Sequence, residues 1–270
     1  MDLTFRDLAK PGPSLAEVLK GLARGLIADI EGLPDNSVTR IHDIRVSTKK
    51  IQGLLRLSGK FVNAADQAAA RTLTRSIRSA FAGERDEEIL RQRQSELLPK
   101  TDPALLDPAP VSVTTTPAEA LVQARQLEQM LAGFSLDTLH SRDLIRTATA
   151  SYRKARQLLK SCRKGPEDEP MHTWRKRVKD VSYQSLALAE LPFLAKRTAS
   201  LDRLADLLGE YHDLAVLQAR LGGHSDHVTV VAKHKKAIGK AAFKLGARLL
   251  DRPPARFAKK LSRALRKHAT

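Results

Sequence analysis

Leu15, Val18, Leu19, Leu22, Leu26 and Ile30 recur at three- and four-residue steps, and on an α-helix they line one face. Ser14 stands where an N-cap is expected, and Gly32-Leu33-Pro34 supplies the stop. The same period returns along almost the whole chain, with no alternating apolar and polar run of the kind a half-buried strand needs. It predicts further helices over about 40–58, 64–82, 84–98, 117–133, 136–164, 170–190, 197–221, 227–250 and 254–268. Gly165-Pro166, Gly222-Gly223 and Pro253-Pro254 punctuate the later ones. Short connections between amphipathic helices imply antiparallel neighbours. The expected fold is therefore all-α, one domain over 14–268 in two helical halves, about 14–98 and 117–268. A loop at 99–117 holding five prolines joins them, and residues 1–13 form a separate N-terminal segment.

Charge narrows what such a bundle can do. Lys and Arg number 47 against 30 Asp and Glu, a net charge of +17. That excess points to an acidic partner. Residues 1–135 carry 18 basic and 17 acidic groups and residues 136–270 carry 29 and 13, so the second half supplies most of the field. The longest stretch free of Asp, Glu, Lys and Arg is 108–118, far below the ~20 residues a membrane-spanning helix needs. The single cysteine, Cys162, has no partner for a disulfide, and together these features suggest a soluble protein of the reducing cytoplasm.

One skeleton is written twice. IHDIRVSTKK at 41–50 and MHTWRKRVKD at 171–180 each place a cation three residues after a histidine and another seven after it. These steps put His42, Arg45 and Lys49 on one helical stripe, and His172, Arg175, Lys179 and Tyr183 on another. Ile41, Ile44, Ile51 and Leu55 run beside the first, and Val178, Val181 and Leu186 beside the second, so each helix can pack on one side and offer cations on the other. About 40 residues after each histidine a second parallel follows, GERDEEIL at 83–90 and GEYHDLAVL at 209–217.

With both motifs present in both halves, the chain from about Ser14 to Arg266 resembles the CHAD domain, the conserved histidine α-helical domain. That resemblance implies two helical bundles related by pseudo-twofold symmetry, with a basic surface or channel that binds inorganic polyphosphate. His42, Arg45, Lys49 and Lys50 match the first motif, and His172, Arg175, Lys176, Lys179 and Tyr183 the second. The family commonly has another basic residue ten positions after each histidine, where this chain has Gln52 and Ser182, and Asp180 stands where the first half has Lys50. Association with polyphosphate granules is a further family-level expectation.

A linear polyanion without bases asks for rows of cations at helical rise. Arg71, Arg75, Arg78 and Arg85 make one such row, near the first histidine helix. Three more are Arg153, Arg156, Lys160, Lys164; Lys236, Lys240, Lys244, Arg248; and Arg256, Lys260, Arg263, Lys267. Rows of this kind also serve simply to solvate a helix. His42 and His172 lie near helix starts, where exposed amides favour an anion, and either donate to phosphate or act as capping or buried groups. His212 joins the candidate set, with orientation of a neighbouring helix as its other role, while Asp86 and Asp213 read as salt-bridge or capping partners. The remaining five histidines are expected on the surface. No P-loop, H-E-x-x-H or G-x-S-x-G motif occurs, so binding without catalysis, cofactor or metal is expected. The rival expectation is a nucleic-acid binder, against which 11 aromatic residues in 270 leave little for base stacking.

Overall fold

The structure is a computed structural model that describes residues 3–33, 37–81, 83–99, 101, 106, 115–222 and 225–268, without the side chains of 37, 38, 83–86 and 225. Among these residues it is helical throughout, with no strand. The helices are α1 (Pro11–Glu31), α2 (Ser37–Ser58), α3 (Ala64–Ser79), α4 (Gly83–Leu97), α5 (Pro117–Ala132), α6 (Ser141–Lys164), α7 (Asp168–Ala187), α8 (Pro192–Arg220), α9 (Ser225–Leu250) and α10 (Pro254–His268). Most of the proline-rich stretch at 99–117 and His224 lie outside the described residues.

Local chemistry accounts for several boundaries. α1 begins at Pro11, whose fixed φ suits the first turn, and not after Ser14. Ser14 instead lies inside that turn, where its hydroxyl donates to the Asp7 carbonyl at 2.8 Å. α5 opens on a reciprocal cap, in which Thr116 Oγ1 accepts from the Glu119 N–H at 3.2 Å and Glu119 accepts from the Thr116 N–H at 2.7 Å. α6 starts at Ser141, five residues later than the periodicity predicts, because Leu136 and Leu139 are buried from irregular backbone. α8 starts five residues earlier than predicted, again with proline in its first turn. Gly222, at φ +53°, turns the chain after α8.

α1 packs between α2 and α5, α7 packs against α6 and α8, α9 lies along α8, and contact between α2 and α7 joins the two halves. One core runs through both halves, from Leu15, Leu19, Leu22 and Leu26 of α1 to Leu201, Leu204 and Leu208 of α8. The segment before α1 belongs to it as well. Leu3, Phe5 and Leu8 are buried, and the Phe5 N–H donates to the Ala187 carbonyl at 2.8 Å. Ile44, Ile51 and Leu55 of α2 and Val178 and Val181 of α7 are buried as their spacing predicts, which turns the cationic stripes of the two helices away from the core. α4 packs on α8 over a smaller cluster of Leu90, Leu98, Leu214 and Leu217, and Arg220 clamps Glu87 there through both guanidinium nitrogens at 2.6 and 3.2 Å.

Candidate functional site

The two histidine helices meet at Gly53. A β-carbon at that position would lie 3.1 Å from the Tyr183 ring and 3.5 Å from the Asp180 backbone, so the missing side chain permits the close approach. The Gln184 amide then donates to the Gly53 carbonyl at 2.9 Å and ties α7 to α2. Beside this crossing opens a cavity of about 880 Å³ lined by side chains of α2, α3, α4, α7 and α8.

Of the fourteen candidate side chains from the two motifs, the Arg71 row and His212, twelve converge on it, and none of the other three cationic rows does. α2 supplies His42, Arg45 and Lys49; α3 supplies Arg71, Arg75 and Arg78; α7 supplies His172, Arg175, Lys176, Lys179 and Tyr183; α8 supplies His212. Lys50 is not on the lining, because it follows Lys49 by one residue and so stands about 100° around the helix. The side chain of Arg85 lies outside the described residues. Two cations missed in the sequence, Arg56 and Arg177, line the cavity as well. Arg56 was legible as the next step of the stripe that runs through Arg45, Lys49 and Gln52.

The lining holds ten Lys and Arg residues against two carboxylates, Asp180 and Asp213. Asp180 is buried and accepts from Arg56 at 2.7 Å and Arg177 at 2.8 Å. Burial pushes its carboxyl above the usual range, and the two guanidiniums pull against that. Lys179 reaches Asp206 at 3.8 Å across to α8, and Arg45 donates to the Phe81 carbonyl at 3.1 Å. Gln52 and Ser182, which depart from the family pattern, are engaged: Gln52 donates to Thr74 at 2.7 Å, and Ser182 donates to Asp202.

Burial, with crowding of like charges behind it, registers on two groups. Burial, with Arg175, Arg45, Arg78 and Lys179 adding to it, brings the Lys49 ammonium from 10.5 down to about 8. Burial likewise carries His172 from 6.5 down to about 4, helped by His212, Lys176, Arg175 and Arg78. The His172 and His212 rings lie 4.1 Å apart and tilted by 33°. The two histidines thus face each other across α7 and α8, and with its pKa at about 4 His172 is neutral at ordinary pH. Tyr183 is buried and its hydroxyl pushed up to about 12 by burial first and by Asp202 next, so it stays protonated and packs the crossing.

Three nitrogens of lining residues, His172 Nδ1, Arg175 Nε and Arg71 Nε, are buried without a hydrogen-bond partner. Unpaired buried polar atoms are costly. Gly209 on α8 shapes one of them, since a β-carbon there would sit 3.4 Å from Arg175 Nε and anything larger would displace the guanidinium. Among the described residues no cluster of three His, Cys, Asp or Glu side chains could hold a metal ion. No helix among them is long and apolar enough to cross a membrane. Of the other five histidines, His140, His234 and His268 are exposed and His227 is half-buried.

Compared with known protein families, residues 17–222 match the family model described as the CHAD domain. Comparison with curated proteins and with solved structures gave no match.

Proposed function

The chain belongs to the CHAD domain family, associated in general with polyphosphate binding, and from that premise we propose that the cavity between α2, α3 and α7 binds inorganic polyphosphate without turning it over. One observation carries the reading: ten Lys and Arg residues from three helices surround a single space that holds two carboxylates, one of them already spent on Arg56 and Arg177. Phosphate oxygens would enter between rows of guanidinium and ammonium groups spaced by about 5 Å along each helix. The arginines contribute paired donors and the lysines mobile point charges. His42 and His172, contributed by the two copies of the motif, add one imidazole from each histidine helix. We take α2 and α7 as a pseudo-twofold pair on the same ground, because each brings a histidine and two or more cations to one cavity.

The lining speaks for polyphosphate over nucleic acid. Tyr183 is its only Phe, Tyr or Trp among the described residues, and it is buried in the crossing where no base can stack on it. The test is a competition between long-chain polyphosphate and duplex DNA or RNA, run on the wild type and on two sets of alanine variants. Replacing Arg45, Lys49, Arg175 and Lys179 is expected to weaken polyphosphate binding far more than replacing Lys259, Arg266 and Lys267, which lie on α10. Equal losses, or preferred binding of nucleic acid, would overturn the reading. Enrichment of the tagged protein on polyphosphate granules in a reducing cytoplasm is the corresponding expectation in cells.

A further inference from the structure

A second cavity, of about 510 Å³, shares no lining residue with the first. It sits where the start of α8, the end of α9 and the start of α10 come together over α6. Six cations face it: Lys196, Arg197, Arg248, Arg252, Arg256 and Lys260. No carboxylate lines it, and none of the six forms an ion pair with a described residue. Four of the six lie beyond residue 222, where the match to the family ends. Arg197 and His212 are both on α8, 15 residues apart, which is about 22 Å along the helix axis.

The floor under these charges is rigid and apolar. Tyr152 and Phe257 stack at 4.5 Å with their rings within 3° of parallel, and the Tyr152 hydroxyl donates to the Arg252 carbonyl at 3.0 Å, fixing the link between α9 and α10. Arg197 is half-buried, donates to the Leu249 carbonyl and lies with its guanidinium carbon 5.8 Å from the centre of the Tyr152 ring. Lys260 Nζ stands 4.8 Å from the centre of the Phe193 ring. These contacts hold Arg197 and Lys260 over the apolar floor, and the surplus of positive charge gathered there favours a bound anion.

We propose that this cavity is a second anion site, built to take a short run of linked phosphates. Four guanidiniums offer forked donors that match phosphate oxygens, and two lysines add charge at the rim. The volume lies in the range of small-ligand sites, of order 300–1,000 Å³, and excludes a long polymer from lying wholly inside. A free oligophosphate and the triphosphate of a nucleotide share this chemistry. The aromatic rings on the lining, Phe193 with Tyr152 and Phe257, would favour the second through contact with a base.

The experiment is calorimetric titration of the whole protein with tripolyphosphate and, separately, with ATP at fixed ionic strength. Arg252, Arg256 and Lys260 are exposed, so the triple change Arg252→Ala, Arg256→Ala, Lys260→Ala leaves the core untouched. The wild type is expected to bind two tripolyphosphates per chain and the triple variant one, with affinity at the lost site down by about tenfold or more. Arg45→Ala with Arg175→Ala should lose the other equivalent. Lys154→Ala, Arg163→Ala and Lys259→Ala, exposed and away from both cavities, should lose neither. One equivalent in the wild type, lost in the triple variant and kept in Arg45→Ala with Arg175→Ala, would support this site and sink the central one. Stoichiometry unchanged by the triple variant, or the same loss in the off-cavity control, overturns the second site. ATP binding more tightly than tripolyphosphate assigns the nucleotide as source, and the reverse order or a tie assigns the free oligophosphate.

Discussion

Lys49 is the sharpest probe of the central cavity, because its ammonium is held there well below the usual lysine range. The drop from 10.5 to about 8 is, at about 1.4 kcal/mol per unit, roughly 3 kcal/mol of penalty on the ammonium in the free protein. Burial is the largest cause of that drop and the surrounding cations come next; a polyphosphate beside Lys49 offsets the Coulombic part and draws the pKa back toward its usual value. Binding then takes up a proton at any pH above about 8, so affinity falls as pH rises through that point, by at most about tenfold per unit. Below about 8 the group is already charged and contributes no slope. Full recovery of the ordinary pKa would cap the loss at ~300-fold near pH 10.5, and partial recovery in a cavity open to salt makes ~10- to 100-fold the expectation.

The assay is anisotropy of labelled polyphosphate between pH 7 and pH 10 at constant ionic strength. Lys49→Arg keeps its charge over that range and should lack this component of the slope. Lys49→Met should bind more weakly at pH 7, and its affinity should not fall further on Lys49's account. Stability runs in the opposite sense. A folded pKa below the unfolded one means that the charged lysine destabilises the free protein at every pH below about 8, and the penalty fades as pH rises from there toward 10.5. Lys49→Met should therefore raise the stability of the ligand-free protein at pH 7, by about 1–3 kcal/mol, while costing affinity. Identical pH slopes in the wild type and Lys49→Arg, or a destabilised Lys49→Met, would refute the electrostatic account.

Four other outcomes follow from the same geometry. His172, lowered to about 4 with an unfolded value near 6.5, favours the folded state above 6.5 and withdraws that support as pH falls toward 4; urea melts from pH 7 to pH 4 should show a loss that His172→Gln reduces. For the same reason its contribution to polyphosphate affinity should grow on the acid side, below the pKa it reaches with ligand bound, and a titration that changes only near 6.5 would contradict the burial. Asp180→Asn leaves Arg56 and Arg177 facing each other at the crossing without a counter-ion, so chemical denaturation should register a loss of about 3 kcal/mol. Gly209→Val should push Arg175 out of its position and weaken polyphosphate binding several-fold with helicity by circular dichroism retained.

Periodicity made the helices legible because every one of them buries a stripe, and that is why Ile44, Ile51, Val178 and Val181 are buried where spacing puts them. The stripes of cations were legible for the complementary reason: polar residues on the face opposite a buried stripe have no core in which to hide. Sequence does not say which stripes face one another. The crossing of α2 and α7 depends on Gly53 having no side chain, a property that local pattern reads only as a weak point in a helix. Gly209 is likewise silent, since its purpose appears only when Arg175 arrives from another helix. Lys50 and Lys49 look equivalent as neighbours in a basic run, and only the helical angle separates the one that lines the cavity from the one that does not.

Asp180 gives the departure from the repeated skeleton a physical meaning. Read against the first copy, it replaces a cation and looks like a loss of binding charge. In the fold it is buried among cations, with Arg56 of α2 at 2.7 Å and Arg177 of its own helix at 2.8 Å. A cavity ringed by ten Lys and Arg residues repels its own walls, and the repulsion is greatest where α2 and α7 are closest. A lysine in that buried position would add an eleventh charge with no water to screen it. A carboxylate there neutralises part of the surplus at the joint and leaves the cations farther along the stripes, Arg45, Lys49, Arg175 and Lys179, free of that counter-ion. The two copies can therefore share a skeleton without sharing every residue: one joint needs one anion, and position 50 lies off the cavity lining.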